Sequence, residues 1–149
     1  MLSKKTKYGL KALTYLAKMD KTVPVSISEI SEAENISLKF LESILLSLKK
    51  AGFLSSKKGK GGGYYFIKNP DDVSVASIIR ILEGPIAMLP CASLNYYEKC
   101  EDCMDETICC LNNLMIEVRD RTLEVLENKS LGDLMKEAYQ NKLSKKQLK

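Results

Sequence analysis

All five cysteines of this 149-residue chain fall between Cys91 and Cys110. Cys91, Cys100, Cys103, Cys109 and Cys110 give the pattern C-x8-C-x2-C-x5-C-C. Thiolates ligate iron–sulfur clusters and zinc, and both tolerate irregular loop spacing. An odd count confined to one short window argues against a structural disulfide framework. Glu98, Glu101, Asp102, Asp105 and Glu106 surround the sulfurs. Neighbouring carboxylates disfavour a bare reactive thiolate, and a bound cation reverses that penalty. The pattern therefore favours a metal centre over a metal-free thiol switch, with an iron–sulfur cluster, zinc and no metal as the three readings. Cys109 and Cys110 are neighbours at the start of an expected helix, where side chains diverge by ~100°. That divergence argues against both ligating one centre; Cys110 reads first as an apolar filler and otherwise as an additional ligand.

The chain has no histidine. That excludes Ser-His-Asp and Cys-His catalysis, imidazole metal ligands and imidazole pH sensing together. Cys100-x-x-Cys103 superficially suits a thiol redox enzyme, but no βαβ pattern surrounds the pair. No apolar run approaches the ~20 residues that cross a bilayer. The basic start lacks a signal core, so a cytoplasmic location is expected, with no membrane partner.

The second chemical group is basic. The net charge of +4 conceals a net +8 over residues 1–70 and a net −6 over residues 71–110. A basic first half suits a polyanion such as nucleic acid, although a solvated lysine-rich face looks the same by charge alone. What decides is how the elements present the lysines. Leu10, Leu13 and Leu16 predict a helix over 3–19 whose first turns carry Lys4, Lys5 and Lys7. Ser26-Ile27-Ser28-Glu29 fits a capping box that starts a second helix. Ser37 caps a third, with Leu38, Leu41, Ile44, Leu45 and Leu48 as its buried stripe and Gly52 as its stop. Phe53–Ser56 and Tyr64–Ile67 read as strands flanking the lysine- and glycine-rich segment 57–63.

A basic hairpin directly after a helix-turn-helix is a wing. The expected fold is mainly α with a small β-hairpin wing: a winged helix-turn-helix plus a long C-terminal dimerisation helix. Lys57, Lys58 and Lys60 on the wing, with Lys4, Lys5 and Lys7, are placed to contact phosphates. Ser37, Lys39, Phe40, Glu42 and Ser43 are the candidates for reading bases. Tyr64, at the foot of the wing, completes the candidate DNA-binding set.

Ser74 to Glu83 predicts a fourth helix with Ile78, Ile81 and Leu82 inward. Residues 85–106 form a long acidic cysteine loop. A helix over about 107–128 carries Leu111, Met115, Val118, Thr122 and Val125 at coiled-coil spacing, and Ile116, Leu123 and Leu126 on a second side. One side can pack on its own domain and the other on a partner subunit. A short helix follows Ser130, and the polar tail has little to anchor it. The implied organisation is a DNA-binding domain over 1–84, a sensor loop over 85–106, dimerisation and terminal helices over 107–138 and a flexible basic tail over 139–149.

Five pieces, in order, resemble the IscR/NsrR/CymR family of bacterial winged-helix regulators. They are Lys7-Tyr8-Gly9-Leu10-Lys11-Ala12-Leu13, Ile36 to Glu42, Leu48 to Leu54, Gly59 to Tyr64, and the cysteine loop leading to Ser130-Leu131-Gly132-Asp133-Leu134. The resemblance implies a homodimer on double-stranded DNA with a partly palindromic operator. It also implies that Cys91, Cys103 and Cys109 ligate an iron–sulfur cluster, 2Fe–2S or 4Fe–4S, that senses iron–sulfur status, redox state or nitric oxide. Cys100 falls inside a Cys91–Cys103 interval longer than in the best-known members, and could replace Cys91 or add a fourth ligand. One branch has a histidine ligand where this chain has Asn112, and another an acidic ligand where this chain has Lys7. The alternative is a metal-free regulator of the same fold, governed by a protein partner or small effector.

Overall fold

The computed structural model describes residues 2–147. Helix α1, Lys4–Lys18, starts where the Ser3 hydroxyl accepts the Thr6 amide. It buries Gly9, Ala12, Leu13 and Leu16. In α2, Ile27–Glu34, Ser26 Oγ accepts the Glu29 amide. The capping box is only half made, because the Glu29 carboxylate accepts from Tyr15 OH instead. Asn35, in the left-handed region at φ 51°, turns the chain into α3, Leu38–Lys50.

Two expectations for α3 need correcting. Ser37 precedes it but makes no side-chain capping bond. Leu38 is 48% exposed, lying outside the stripe of Leu41, Ile44, Leu45 and Leu48 that fills the core.

The wing pairs β1, Leu54–Lys57, with β2, Gly63–Phe66, in antiparallel register, Leu54 opposite Phe66 and Lys57 opposite Gly63. Lys57 thus belongs to a strand rather than to the tip. Tyr64 also exchanges two 2.8 Å backbone bonds with Val25, so the wing is fastened to the segment entering α2. Gly63 is required there, since a methyl group would collide with the Val25 carbonyl.

Helix α4, Val75–Leu82, buries Val75, Ala76, Ile78, Ile79 and Leu82. Ile81 is 38% exposed, contrary to the sequence reading. At 100° per residue it falls outside the arc from Ile78 through Leu82 and Val75 to Ile79. Short 3-10 turns at Pro90–Ala92 and Glu106–Ile108 punctuate the cysteine loop. Helix α5, Cys110–Asn128, begins later than expected because Cys109 serves as its N-cap. Leu123 is buried, while Leu111, Leu114 and Val125 are exposed.

Helix α6 runs from Leu131 to Gln147, well beyond the short helix expected, so the segment read as a loose tail is helical as far as Gln147. Residues 148 and 149 of that tail lie outside the described residues. The stretch after Gly132 contains neither Gly nor Pro and is rich in Lys, Leu and Gln, so intrinsic propensity carries the helix past its packed first turns. Ser130 Oγ accepts the Asp133 amide, and the Asp133 carboxylate accepts the Ser130 amide, a complete capping box. An isolated bridge between Ser74 and Ser130 stitches this turn to the start of α4. Among the described residues no helix is long and apolar enough to cross a membrane.

Candidate nucleic-acid interface and thiol cluster

Helix α3 presents Ser37, Lys39, Phe40, Glu42 and Ser43 on its solvent side. They do not all project freely. The Phe40 ring packs edge-on against Tyr8 of α1, centroids 5.7 Å apart. The Ser43 hydroxyl donates to the Phe40 carbonyl at 2.9 Å, which leaves its oxygen as an acceptor. Leu46, 46% exposed, shares this helix and was missed. A leucine in a leucine-rich stripe gives no sequence signal of exposure.

Lys57, Lys58 and Lys60 are exposed along the wing, and Gly59 and Gly61 hold left-handed conformations at its tip. Tyr64 is half-buried, its ring packed on the core. Lys4 and Lys7 are exposed and Lys5 half-buried on α1. Other lysines are spent on structure: Lys11 reaches the Glu34 carboxylate at 3.2 Å and Lys49 donates to Ser56 Oγ at 2.6 Å.

In the loop, the Cys103 thiol lies near those of Cys100 and Cys109. These two neighbours push its pKa up to about 12, Cys100 contributing most. Cys109 shifts downward, because its sulfur accepts the Asn112 amide at 3.4 Å at the start of α5. Cys91, named in the expected ligand set, is engaged through its backbone: its carbonyl accepts from Asn112 Nδ2 at 3.3 Å. Cys110 is exposed.

Three side chains whose importance the sequence did not reveal hold this loop. Glu106 accepts Tyr97 OH at 2.6 Å and the Cys100 amide at 2.7 Å. Arg119, whose side chain is 11% exposed, donates to the Ala92 carbonyl and pairs with Asp120. Asn112 is buried and joins the start of the loop to its end. In sequence, Glu106 is one acid among several, and Asn112 carries no motif.

The donor type suits a sulfur-ligated metal or cluster, with several partly exposed thiols in one loop and Cys109 shifted toward its thiolate. Among the described residues no three Cys, Asp or Glu side chains are already drawn around a single ion.

A wing fastened beside an exposed helix, with a long helix rising from a thiol loop, is the architecture of winged-helix DNA-binding regulators. Residues 2–137 match the Rrf2 family, described as an iron-dependent transcriptional regulator. An rrf2-like protein of Rhodobacter capsulatus is 40% identical over 138 residues, 91% of this chain and 92% of the relative. The solved structure of CymR, the global cysteine regulator of Bacillus subtilis, is similar with TM-score 0.73 and 34% identity, covering 91% of this chain and 96% of that one. The structure of T. potens IscR is similar with TM-score 0.73 and 31% identity, covering 93% and 88%. The chain belongs to the Rrf2 family, and it is a transcriptional regulator rather than an enzyme.

Proposed function

We propose that the protein binds a partly palindromic operator as a homodimer and senses iron–sulfur status, redox state or nitric oxide through a thiol-ligated iron–sulfur cluster in the 91–110 segment. The observation that carries the DNA half is the placement of Lys57, Lys58 and Lys60 on a wing fixed beside the exposed side of α3. Lysines on phosphates supply affinity and position, and α3 supplies the base contacts. When bound, the cluster would supply a centre that responds to oxidants and nitric oxide. The chain's own residues carry that response outward. Cys109 caps α5, Asn112 and Arg119 tie α5 to the loop, α5 packs on α4, and α4 packs on α1 and α3.

Binding to duplex DNA across a salt series tests the reading. Lys58→Ala should weaken binding to all sequences and reduce the steepness of log K against log salt by about 0.9 per lost phosphate contact. An unchanged slope removes Lys58 from the interface. A native chain that ignores duplexes in dilute buffer, with and without iron and sulfide, overturns the whole reading.

The likeness to CymR favours a second reading, a metal-free regulator answering to a protein partner or small effector. Iron and sulfide content after oxygen-free purification separates the two.

A further inference from the structure

Helix α3 carries a leucine that the core does not use. Leu41, Ile44, Leu45 and Leu48 fill the core from one side of the helix. At 100° per residue, Lys39, Ser43, Leu46 and Lys50 run along the middle of the opposite side. All four are exposed, Leu46 at 46%. The other exposed apolar side chains of the helix stand differently. The Phe40 ring is packed edge-on against Tyr8. Leu38 falls at the edge of the solvent side, next to the buried arc. Lys49 donates to Ser56 Oγ of β1, so the stripe that holds Leu46 runs beside the wing.

A leucine set between lysines fits a partner that is anionic and, at one point, apolar. Duplex DNA meets both conditions. Its phosphates take the lysines, and its major groove presents one apolar group, the C5 methyl of thymine. We propose that Leu46 is a specificity-determining residue whose side chain packs on a thymine methyl in each half of the operator. A helical side chain leans toward the N-terminus of its helix, which brings Leu46 over the turn of Glu42 and Ser43. A group that reads a methyl thus stands beside a carboxylate and a hydroxyl oxygen that accept hydrogen bonds, so apolar and polar readout fall on neighbouring bases. The assignment rests on the DNA-binding reading above and is independent of the thiol loop.

The test starts from duplexes that the full-length native protein enriches from a randomised pool, with and without prior loading with ferrous iron and sulfide. Each thymine of the enriched duplex is then replaced in turn by uracil, which removes the methyl and keeps every hydrogen-bonding group. Affinity for each duplex is measured for the native protein, L46A and L38A, with circular dichroism as the folding control. One thymine in each half-site should lose about fourfold in native affinity when its methyl is removed, the worth of one buried methyl group. L46A should bind the thymine and uracil forms of that site equally. L38A removes a similarly exposed leucine from the same helix and should keep the native preference. A merely structural role for Leu46 would weaken every duplex alike and leave that preference intact.

Uracil tolerated by the native protein at every thymine, a methyl preference that survives in L46A, or one that vanishes in L38A as well overturns the assignment to Leu46 while leaving DNA binding in place. A native protein that enriches no sequence under either loading overturns the assignment and the DNA-binding reading together.

Discussion

Glu83 lies just past α4 yet governs the first turn of α1. Its carboxylate accepts from Thr6 Oγ1 at 2.5 Å, from Ser3 Oγ at 2.7 Å and from the Ser3 amide at 3.0 Å. Those donors, Thr6 foremost, hold its pKa at about 2, below its ordinary 4.5. A depressed carboxylate stabilises the fold fully above its unfolded-state value, and that contribution disappears as pH falls through 4.5 toward 2. Glu83→Gln should therefore lower the urea midpoint near neutrality, and the two midpoints should converge as pH drops from 5 toward 2. A pH-independent gap would show that the carboxylate's charge is not what matters. The same scale shows what sequence hides. The lysines of the wing were legible, because a charged tip on a hairpin has nowhere to be but solvent. The roles of Glu83, Glu106 and Asn112 were not, because each depends on partners distant in the chain that no local pattern reveals.

The elements were easier to read than their uses. Helices α1 to α4 and the hairpin announce themselves through apolar periodicity, caps and glycines, and their observed bounds lie within about two residues of expectation. Leu38 and Ile81 were misplaced because a stripe of leucines and isoleucines overfills the buried arc of a short helix, and only packing decides which of them faces out. The wing's attachment was also invisible, since the Val25–Tyr64 pairing links segments on either side of two helices. That pairing fixes how the wing stands relative to α3. Gly63→Ala drives a methyl group into the Val25 carbonyl, backbone that cannot turn aside. The substitution should cost about 1–3 kcal/mol, as overpacking typically does, readable from chemical denaturation. It should also weaken DNA binding beyond what the lost stability explains. Native stability in the variant would mean that the Val25 strand can move away freely.

At the level of the whole molecule, α5 has more apolar surface than one chain covers. Leu123 packs inward, whereas Leu111, Leu114 and Val125 face solvent, Val125 at 61% exposure. On the homodimer proposed above, a second copy seated on this side would give two reading heads at a fixed spacing, as a partly palindromic operator would require. Val125→Glu should yield a folded monomer by analytical ultracentrifugation and sharply reduced operator affinity. A dimer that persists with native affinity places the interface elsewhere. The apolar repeat of α5 was legible in its heptad spacing, but which side stays uncovered in one chain emerged only once α4 was seen against it.

The bridge between Ser74 and Ser130 gives α5 an unequal footing. Its C-terminal end is sewn into the DNA-binding half by the Val75 amide to the Lys129 carbonyl and the Leu131 amide to the Val73 carbonyl, both at 2.8 Å. Its other end rests on the thiol loop. A rod held in this way would act as a lever with its fulcrum at Lys129. Over the ~28 Å of a 19-residue helix, a ~3 Å displacement at the Cys109 end becomes a tilt of about 6°. The pinned end would stay registered to α4 while the end at the thiol loop would sweep the greatest arc.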